Sequence, residues 1–265
     1  MKKLFVIVFK IVLLFSVYAF FVEPNIILTK KYTITNKDLS GLKIVFVGDF
    51  HIRPYQKNKL KRIVTKINSQ NPDIILSIGD YINGHKIEAS LKPSAIVDEL
   101  THLKSRYGFY TVLGNHDNWY VGISVENEFN KKNLVVLDNS NIKIDYSGKD
   151  FFIAGVEDLY TGEPDVKKAL NNTTNPVILL THNPDVFVDV PESVDLTLAG
   201  HTHGGQVRFP FLGALVIPSK YGNKYAKGLI EEDKKKMIVT TGLGTSILHL
   251  RFNCFPEIVV IDFVN

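Results

Sequence analysis

The polar residues best suited to chemistry follow short apolar runs in this 265-residue sequence. Five of the eight histidines do so, together with three aspartates and one asparagine. The set comprises Asp49, His51, Asp80, Asn115, His116, Asp117, His182, His201 and His203. If the apolar runs are parallel strands, their carboxyl ends meet at one edge of a sheet, where ligand sites form in α/β folds. Residues that are distant in sequence are therefore expected to converge there.

Four blocks repeat one local pattern, in which a glycine precedes the polar residue. They are Gly48-Asp49-Phe50-His51, Gly79-Asp80, Gly114-Asn115-His116-Asp117 and Gly200-His201-Thr202-His203. Glycine allows a sharp turn out of the strand and a close backbone approach to a ligand. The intervals from Asp49 to Asp80 and from Asp80 to Asn115 each match one βαβ unit. A single block would predict little, but the ordered set, completed by His182, predicts a shared site.

The donor types predict a metal site without thiolates. Cys254 is the single cysteine, which excludes an intramolecular disulfide, and we expect it to be a buried apolar residue. Carboxylates, imidazoles and a carboxamide suit ions such as Mn²⁺, Fe²⁺ or Zn²⁺. The chemistry expected at this edge is therefore that of a divalent metal.

The elements that must position these residues alternate between strand and helix. An amphipathic helix is predicted at 57–70, and further helices are predicted at 91–103 and 164–170. Strands are predicted at 43–47, 73–78, 109–113, 134–137, 142–144, 151–155, 177–181, 194–199, 237–241 and 257–263. This alternation predicts an α/β fold with largely parallel sheets, and residues 23–38 are interpreted as a linker that precedes it.

With these blocks, residues 42–265 resemble the calcineurin-like metallophosphoesterases. The resemblance implies a two-sheet αββα sandwich with the site at the strand ends. It also implies two divalent metal ions: one is held by Asp49, His51, Asp80 and His203, and the other by Asp80, Asn115, His182 and His201. Asp80 would bridge them, and Mn²⁺ is the expected ion, with Fe²⁺ and Zn²⁺ as alternatives.

Three further residues are candidates for contact with the substrate. By the same resemblance, His116 lies close to the scissile phosphate, where it can hydrogen-bond an oxygen or protonate the leaving group. Asp117 would orient His116. Arg53, two residues past His51, could bind phosphate bidentately, although a plain surface arginine is an equal interpretation.

The N-terminal segment Leu4–Val22 is apolar apart from Lys10 and Ser16, and it is long enough to span a bilayer as a helix. An uncleaved anchor is the favoured interpretation. A cleaved signal peptide and a helix lying in the membrane interface are the alternatives. We therefore divide the chain into a membrane anchor, 1–31, and a catalytic domain, 32–265, with the side of the membrane open.

The net charge of +4 arises entirely from the N-terminal segment, because residues 32–265 hold equal numbers of acidic and basic residues. A nucleic-acid partner would need positive charge spread over the fold, so none is expected. Basic residues beside an apolar segment instead suit an anionic membrane surface. The expected substrate is a phosphate-containing small molecule or lipid.

Three later segments resemble the membrane-anchored bacterial subgroup of the family. They are Gly204-Gly205-Gln206, the run from Thr241 to Ser246, and Arg251-Phe252 with Pro256-Glu257-Ile258. That subgroup includes UDP-2,3-diacylglucosamine pyrophosphatases of lipid A synthesis. The leading hypothesis is such an enzyme, anchored at a bacterial inner membrane. A broad-specificity phosphodiesterase of the cell envelope and a non-catalytic scaffold of the same fold are the alternatives.

Overall fold

The computed structural model describes residues 1–84, 86–122 and 124–265. Its strands are β1 Leu28–Thr35, β2 Lys43–Val47, β3 Ile74–Ser77, β4 Phe109–Thr111, β5 Val135–Val136, β6 Ser140–Tyr146, β7 Lys149–Gly155, β8 Val177–Leu180, β9 Leu196–Ala199, β10 Arg208–Phe209, β11 Gly213–Ala214, β12 Gly228–Glu232, β13 Lys235–Val239 and β14 Glu257–Val264. Its α-helices are α1 Lys2–Val17, α2 Lys57–Asn68, α3 Pro93–Leu100, α4 Asn115–Trp119, α5 Val125–Lys131 and α6 Val166–Ala169.

Twelve of these strands form two six-stranded sheets. The first has the order β1-β14-β2-β3-β4-β5, and the second has the order β12-β13-β9-β8-β7-β6. In the first sheet, β2 to β5 are parallel and β14 runs antiparallel to β2. In the second, β7, β8, β9 and β13 are parallel, with antiparallel strands at both edges. The carboxyl ends of the parallel strands therefore form two edges that can face a common site.

The sheets pack face to face over an apolar core. Because strand side chains alternate between faces, β2 directs Ile44 and Phe46 into this core and Val45 and Val47 to the opposite face. On that opposite face, the apolar stripe of α2 covers the sheet, together with residues of α3 and α5. A third apolar cluster covers the outer face of the second sheet. The αββα sandwich expected from the resemblance is confirmed.

Residues 23–38 were interpreted as a linker, and this interpretation is wrong. Residues 28–35 form β1, which pairs in parallel with β14 along its whole length. Glu23 is fully buried, and its carboxylate accepts hydrogen bonds from the backbone N–H groups of Asn253 and Cys254 at 3.0 and 2.6 Å. The lysines in this strand obscure its alternation in the sequence because β1 is an edge strand with a largely exposed face.

Helix α1 has no buried residue, in contrast to every other α-helix in the described part of the chain. It continues through a π-helical turn, Tyr18–Val22, and a 3-10 turn, Glu23–Asn25. Together these residues form a 24-residue helical segment that contains an 18-residue stretch with a mean hydropathy of 2.6, sufficient in length and composition to cross a membrane. Near its C-terminal end, the ring of Phe15 lies 4.9 Å from that of Phe252, and Ala19 accepts a hydrogen bond from the N–H of Arg251.

Candidate metal centre

Each predicted ligand lies two to four residues beyond a strand. Val47 ends the strand before Asp49 and His51, Ser77 the one before Asp80, and Ala199 the one before His201 and His203. These five ligands adopt positive φ angles between 42° and 66°, a region that residues other than glycine rarely occupy. Such strain persists only where the surrounding structure fixes it, and it clusters at functional sites. Other non-glycine residues, such as Asn71 and Asp233, share such angles, so this strain supports a site only in combination with the side-chain contacts.

The four residues predicted to hold the first ion lie together. The Nε2 atom of His51 is 3.0 Å from Nε2 of His203 and 3.3 Å from Oδ2 of Asp80. Asp49 offers a carboxylate oxygen within 4.8 Å of ligand atoms of His51 and His203. All four side chains are buried. The first predicted ligand set is therefore compatible with one bound cation.

The second predicted set meets at His182. Its Nε2 atom is 3.1 Å from Oδ1 of Asn115, 3.1 Å from Nδ1 of His201 and 3.4 Å from Oδ2 of Asp80. The same Asp80 oxygen therefore lies between the two sets. The other oxygen of Asp80 accepts a hydrogen bond of 2.9 Å from the backbone N–H of His116, which fixes the carboxylate.

The hydrogen bonds behind the histidines test whether this arrangement fits a metal. Nδ1 of His51 lies 3.1 Å from the carbonyl of Ile82, and Nδ1 of His182 lies 2.7 Å from the carbonyl of Ile78. A carbonyl can only accept, so each Nδ1 carries the proton and each Nε2 is left to ligate. At His182 this nitrogen faces acceptor oxygens of Asp80 and Asn115. Converging acceptors require a cation, so the residues fit divalent metal ions.

Burial keeps several of the histidines in the neutral form that ligates. It lowers the pKa of His51 and of His201 to about 3. Burial alone would also lower the pKa of His182, but the carboxylates of Asp80 and Asp49 outweigh it and raise that pKa to about 10. Without a metal ion, a second proton on His182 can therefore occupy the position between the acceptors. Burial likewise raises the pKa of Asp49 to about 7.

His116 is placed differently from the ligands. Its Nδ1 atom accepts a hydrogen bond of 3.2 Å from the backbone N–H of Gly84, so the neutral ring carries its proton on Nε2. That Nε2 lies 3.5 Å from the hydroxyl of Ser246, and the ring meets that of His51 edge-on at 4.6 Å. An N–H beside the cluster can donate to a phosphate oxygen or a leaving group.

Asp117 serves as an acceptor for the backbone of the adjacent loop. Its carboxylate accepts four backbone N–H groups at 2.7–3.2 Å, from Asp80, Tyr81, Ile82 and Gly114. These bonds connect the start of α4 to the turn that carries Asp80. They make Asp117 a positioning residue for Asp80, and the role expected from the resemblance, orienting His116, stays a prediction.

Arg251 has a structural role that sequence reasoning did not assign. It is fully buried, and its guanidinium donates to the carbonyls of Thr241, Gly242, Gly244 and Cys254. The loop held in this way lies directly against Asp49: the N–H of Gly244 donates to the Asp49 carbonyl at 2.6 Å, and a Cβ on Gly242 would come within 2.5 Å of the Asp49 Cβ. In the sequence, Arg251 was noted only as part of the resemblance to the family. Its signal for a buried structural role was the position of a lone arginine within an apolar stretch.

The remaining candidates have varied environments. Arg53 is half-buried, and its Nε has no hydrogen-bond partner within the described part of the chain, so phosphate binding there stays a prediction. Cys254 is buried as expected, with its thiol 3.3 Å from the carbonyl of His203. Among the histidines interpreted as surface or structural, His102 is exposed, His249 lies 3.0 Å from the Thr245 hydroxyl, and His85 lies outside the described residues.

This fold and centre define a metal-dependent hydrolase of phosphoric ester bonds. Residues 42–205 match the family model described as calcineurin-like phosphoesterase, and the chain belongs to that family. It is 32% identical over 253 residues to the Bacillus subtilis protein named uncharacterized metallophosphoesterase YkuE, covering 92% of this chain and 87% of that protein. It is likewise 32% identical over 233 residues to Escherichia coli phosphodiesterase YaeI, covering 84% and 82% of the two chains.

Two other matches extend the comparison. A Danio rerio transmembrane protein with metallophosphoesterase domain is 32% identical over 244 residues, which cover 84% of this chain but only 53% of that protein. A crystal structure of the calcineurin-like phosphoesterase YfkN from Bacillus subtilis aligns with 76% of this chain and 81% of its own, at 13% identity and a TM-score of 0.46.

Proposed function

We propose that this chain is a two-metal phosphodiesterase whose substrate lies at a membrane surface. The observation that carries the proposal is the position of one Asp80 oxygen, 3.3 Å from Nε2 of His51 and 3.4 Å from Nε2 of His182. A carboxylate oxygen between two histidines that each direct a ligating nitrogen towards it suits a bridge between two ions.

Each proposed role follows from the contacts of the side chain. Asp49, His51 and His203 would hold one ion with Asp80, whereas Asn115, His182 and His201 would hold the other with it. Two bound ions activate water and stabilise the charge of an in-line displacement at phosphorus. His116, with its Nε2 proton directed away from Gly84, would donate to a phosphate oxygen or to the leaving group. Arg53 is proposed to bind the phosphate through its guanidinium group.

The choice of a phosphodiester rests on two lines of support. The E. coli relative is named a phosphodiesterase, and the neutral charge of residues 32–265 disfavours a nuclease. The all-nitrogen and oxygen ligand set supports Mn²⁺ as the working ion, with Fe²⁺ and Zn²⁺ as alternatives.

The membrane part of the proposal rests on the apolar segment Lys2–Asn25. We propose that it anchors the enzyme at a bacterial inner membrane. UDP-2,3-diacylglucosamine is the narrower substrate candidate, and it requires the domain to face the cytoplasm, where nucleotide-activated intermediates are made. An inside N-terminus with one full span would place the domain outside, in which case a cell-envelope phosphodiester is the substrate.

The test uses the full-length protein stripped with a chelator and reloaded with Mn²⁺, Zn²⁺ or Fe²⁺. We expect about two ions per chain at saturation, and faster hydrolysis of bis(4-nitrophenyl) phosphate than of the corresponding monoester. UDP-2,3-diacylglucosamine in vesicles is assayed beside these soluble compounds. A fully loaded protein that hydrolyses none of them would instead be the non-catalytic scaffold, and binding of a single ion would contradict the two-metal site.

Protease protection in sealed inner-membrane vesicles of known sidedness tests the location. Digestion of the catalytic domain from the cytoplasmic side is required by the UDP-2,3-diacylglucosamine assignment. Protection from that side excludes this assignment and leaves the phosphodiesterase proposal intact.

A further inference from the structure

Two loops beside the metal centre expose apolar side chains at their tips. We define the apolar rim as residues 209–216 and 246–250. In the first loop, Phe211 is fully exposed, and Leu212, Leu215 and Val216 are also exposed; in the second loop, Ile247 is 93% exposed and Leu248 is exposed. A contiguous exposed apolar surface of this kind marks contact with a partner or a membrane.

Local backbone geometry makes these side chains more unusual. Phe211 and Ile247 have φ angles of 66° and 57°, where glycine or asparagine would cost less. For a β-branched residue such as Ile247, this conformation is a clear outlier. Neither backbone preference nor burial within the described fold accounts for an apolar residue at either position, whereas an apolar contact outside the chain would account for both.

The two loops form one surface because Gln206 joins them. Its side-chain amide donates to the carbonyl of Ser246 at 2.9 Å and accepts from the N–H of Ser246 at 2.7 Å. Gln206 follows the turn that carries His203, and the Ser246 hydroxyl lies 3.5 Å from Nε2 of His116. Both parts of the apolar rim therefore begin at the metal centre and extend outward from it.

The apolar rim is also continuous with the apolar N-terminal helix. The ring of Phe252 lies 4.9 Å from Phe15 of α1 and 6.4 Å from Phe209 at the start of the first loop. Phe15 precedes Val22, the last residue of the apolar run, by seven positions, or about 10 Å along a helix axis. If that run lies in a bilayer, the neighbouring part of the domain reaches the depth of the lipid headgroups and beyond.

Charge favours a lipid surface over an acidic or mixed protein surface. Residues 196–230 contain no aspartate or glutamate, but they contain Arg208, Lys220, Lys224 and Lys227, of which Lys224 pairs with Glu232 at 2.8 Å. Lys220 and Lys227 are exposed. Basic residues around apolar side chains are the composition of segments that lie in the interface of an anionic membrane.

We propose that the apolar rim enters the lipid interface beside α1, so that the metal centre opens towards the bilayer. This inference rests on the membrane association proposed above and adds a second contact that fixes the orientation of the domain. A phosphodiester within the headgroup layer could then reach the centre without leaving the membrane.

The test measures the depth of single labels in the full-length protein. Leu212→Cys, Leu215→Cys and Ile247→Cys each receive an environment-sensitive fluorophore, and the parent protein, whose Cys254 is buried, serves as the blank. Val188→Cys is the matched control, because Val188 is exposed and apolar but lies beside Lys235 at the opposite end of the second sheet. The samples are placed in phosphatidylcholine vesicles that contain some phosphatidylglycerol, with and without brominated acyl chains.

We expect brominated lipid to remove most of the fluorescence at the rim positions and little at Val188. Equal quenching at the rim and the control would overturn the proposal. Energy transfer between copies at the rim positions, without lipid quenching, would assign the surface to a second copy of the chain and overturn it as well. Hydrolysis by the unlabelled protein is assayed separately, so failure of the proposed function leaves the quenching result unaffected.

Discussion

The metal centre and the apolar periphery, which consists of α1 and the apolar rim, differ in whether their characteristic side chains are buried or exposed. At the centre, every predicted ligand except the partly buried His201 is buried, and the backbone carbonyls of Ile78 and Ile82 fix the protons of His182 and His51. In the periphery, α1 and the apolar rim expose residues that the same physics would normally bury. The interior of the protein explains the first region, whereas for the second we propose an external apolar medium.

The two regions should respond differently to substitution. A substitution at the centre removes an interaction that several neighbours depend on, so its effect should be large and independent of the medium. A change in α1 removes nothing from the interior, so its effect on soluble chemistry should be small.

The largest effect is expected for Asp80→Asn. An amide cannot present two anionic oxygens, so the protein should lose metal and also several kcal/mol of transition-state stabilisation, about four powers of ten in rate. Metal analysis and turnover of bis(4-nitrophenyl) phosphate measure both. Asp145→Asn, at an exposed position, is the matched control. Retention of two ions with near-normal turnover would remove Asp80 from the bridging position.

His116→Gln should separate the proton donor from the ligands. We propose that His116, whose Nδ1 accepts from Gly84, donates a proton and does not bind metal, so the variant should keep its metal and lose about 10²–10⁴-fold in kcat, the range for a general acid. The readouts are again metal content and turnover. Loss of metal in parallel with activity would make His116 a ligand and contradict the assignment.

Arg251→Met should lower the free energy of unfolding. Four backbone carbonyls lose their donor in a fully buried position, which should cost about 3 kcal/mol. For a chain of this size the melting temperature should fall by about 6–12 °C. The exposed Arg106→Met is the control, with little expected change. A melting temperature equal to that of the parent would show that the loop beside Asp49 does not depend on Arg251.

Metal should stabilise the protein more as the pH rises. Folding raises the pKa of Asp49 to about 7 through burial, and carboxylates raise that of His182 to about 10 against the effect of burial. The stability that bound protons provide without metal is therefore lost as the pH increases towards and through these values. The difference in melting temperature between metal-loaded and chelator-treated protein should widen from pH 5 to pH 8, because metal binding displaces about one proton from each of these two groups. A constant difference would show that metal displaces no protons.

The smallest effect is expected for deletion of residues 2–17. Because α1 buries no residue, turnover of a soluble diester should stay within about twofold of the parent. The single change Glu23→Ala, a few residues further on, should be more damaging, since that buried carboxylate accepts two backbone N–H groups. Equal melting temperatures for Glu23→Ala and the parent would show that Glu23 does not contribute to the stability of the interior.

The sequence predicted the fold class well wherever hydrophobic period and strand ends coincide. The strand at 43–47 was placed with its correct bounds, and α2 was predicted two residues too long at its C-terminal end. Strand β1 was missed because its lysines lie on an exposed edge. Helices α4 and α5 were also not predicted, because each is too short to show a clear 3.6-residue period.

By itself, the sequence determined which side chains could bind metal, because the ligands are set by residue type and by their position after apolar runs. Tertiary structure decided what depends on contacts between distant segments. It placed one Asp80 oxygen between two histidines, gave the Asp117 carboxylate to the backbone of residues 80–82, and buried Arg251 behind Asp49. It also joined the apolar rim to α1 through Phe252. These arrangements depend on long-range packing, and the local pattern of residues does not encode which oxygen, proton or ring will meet another across the fold.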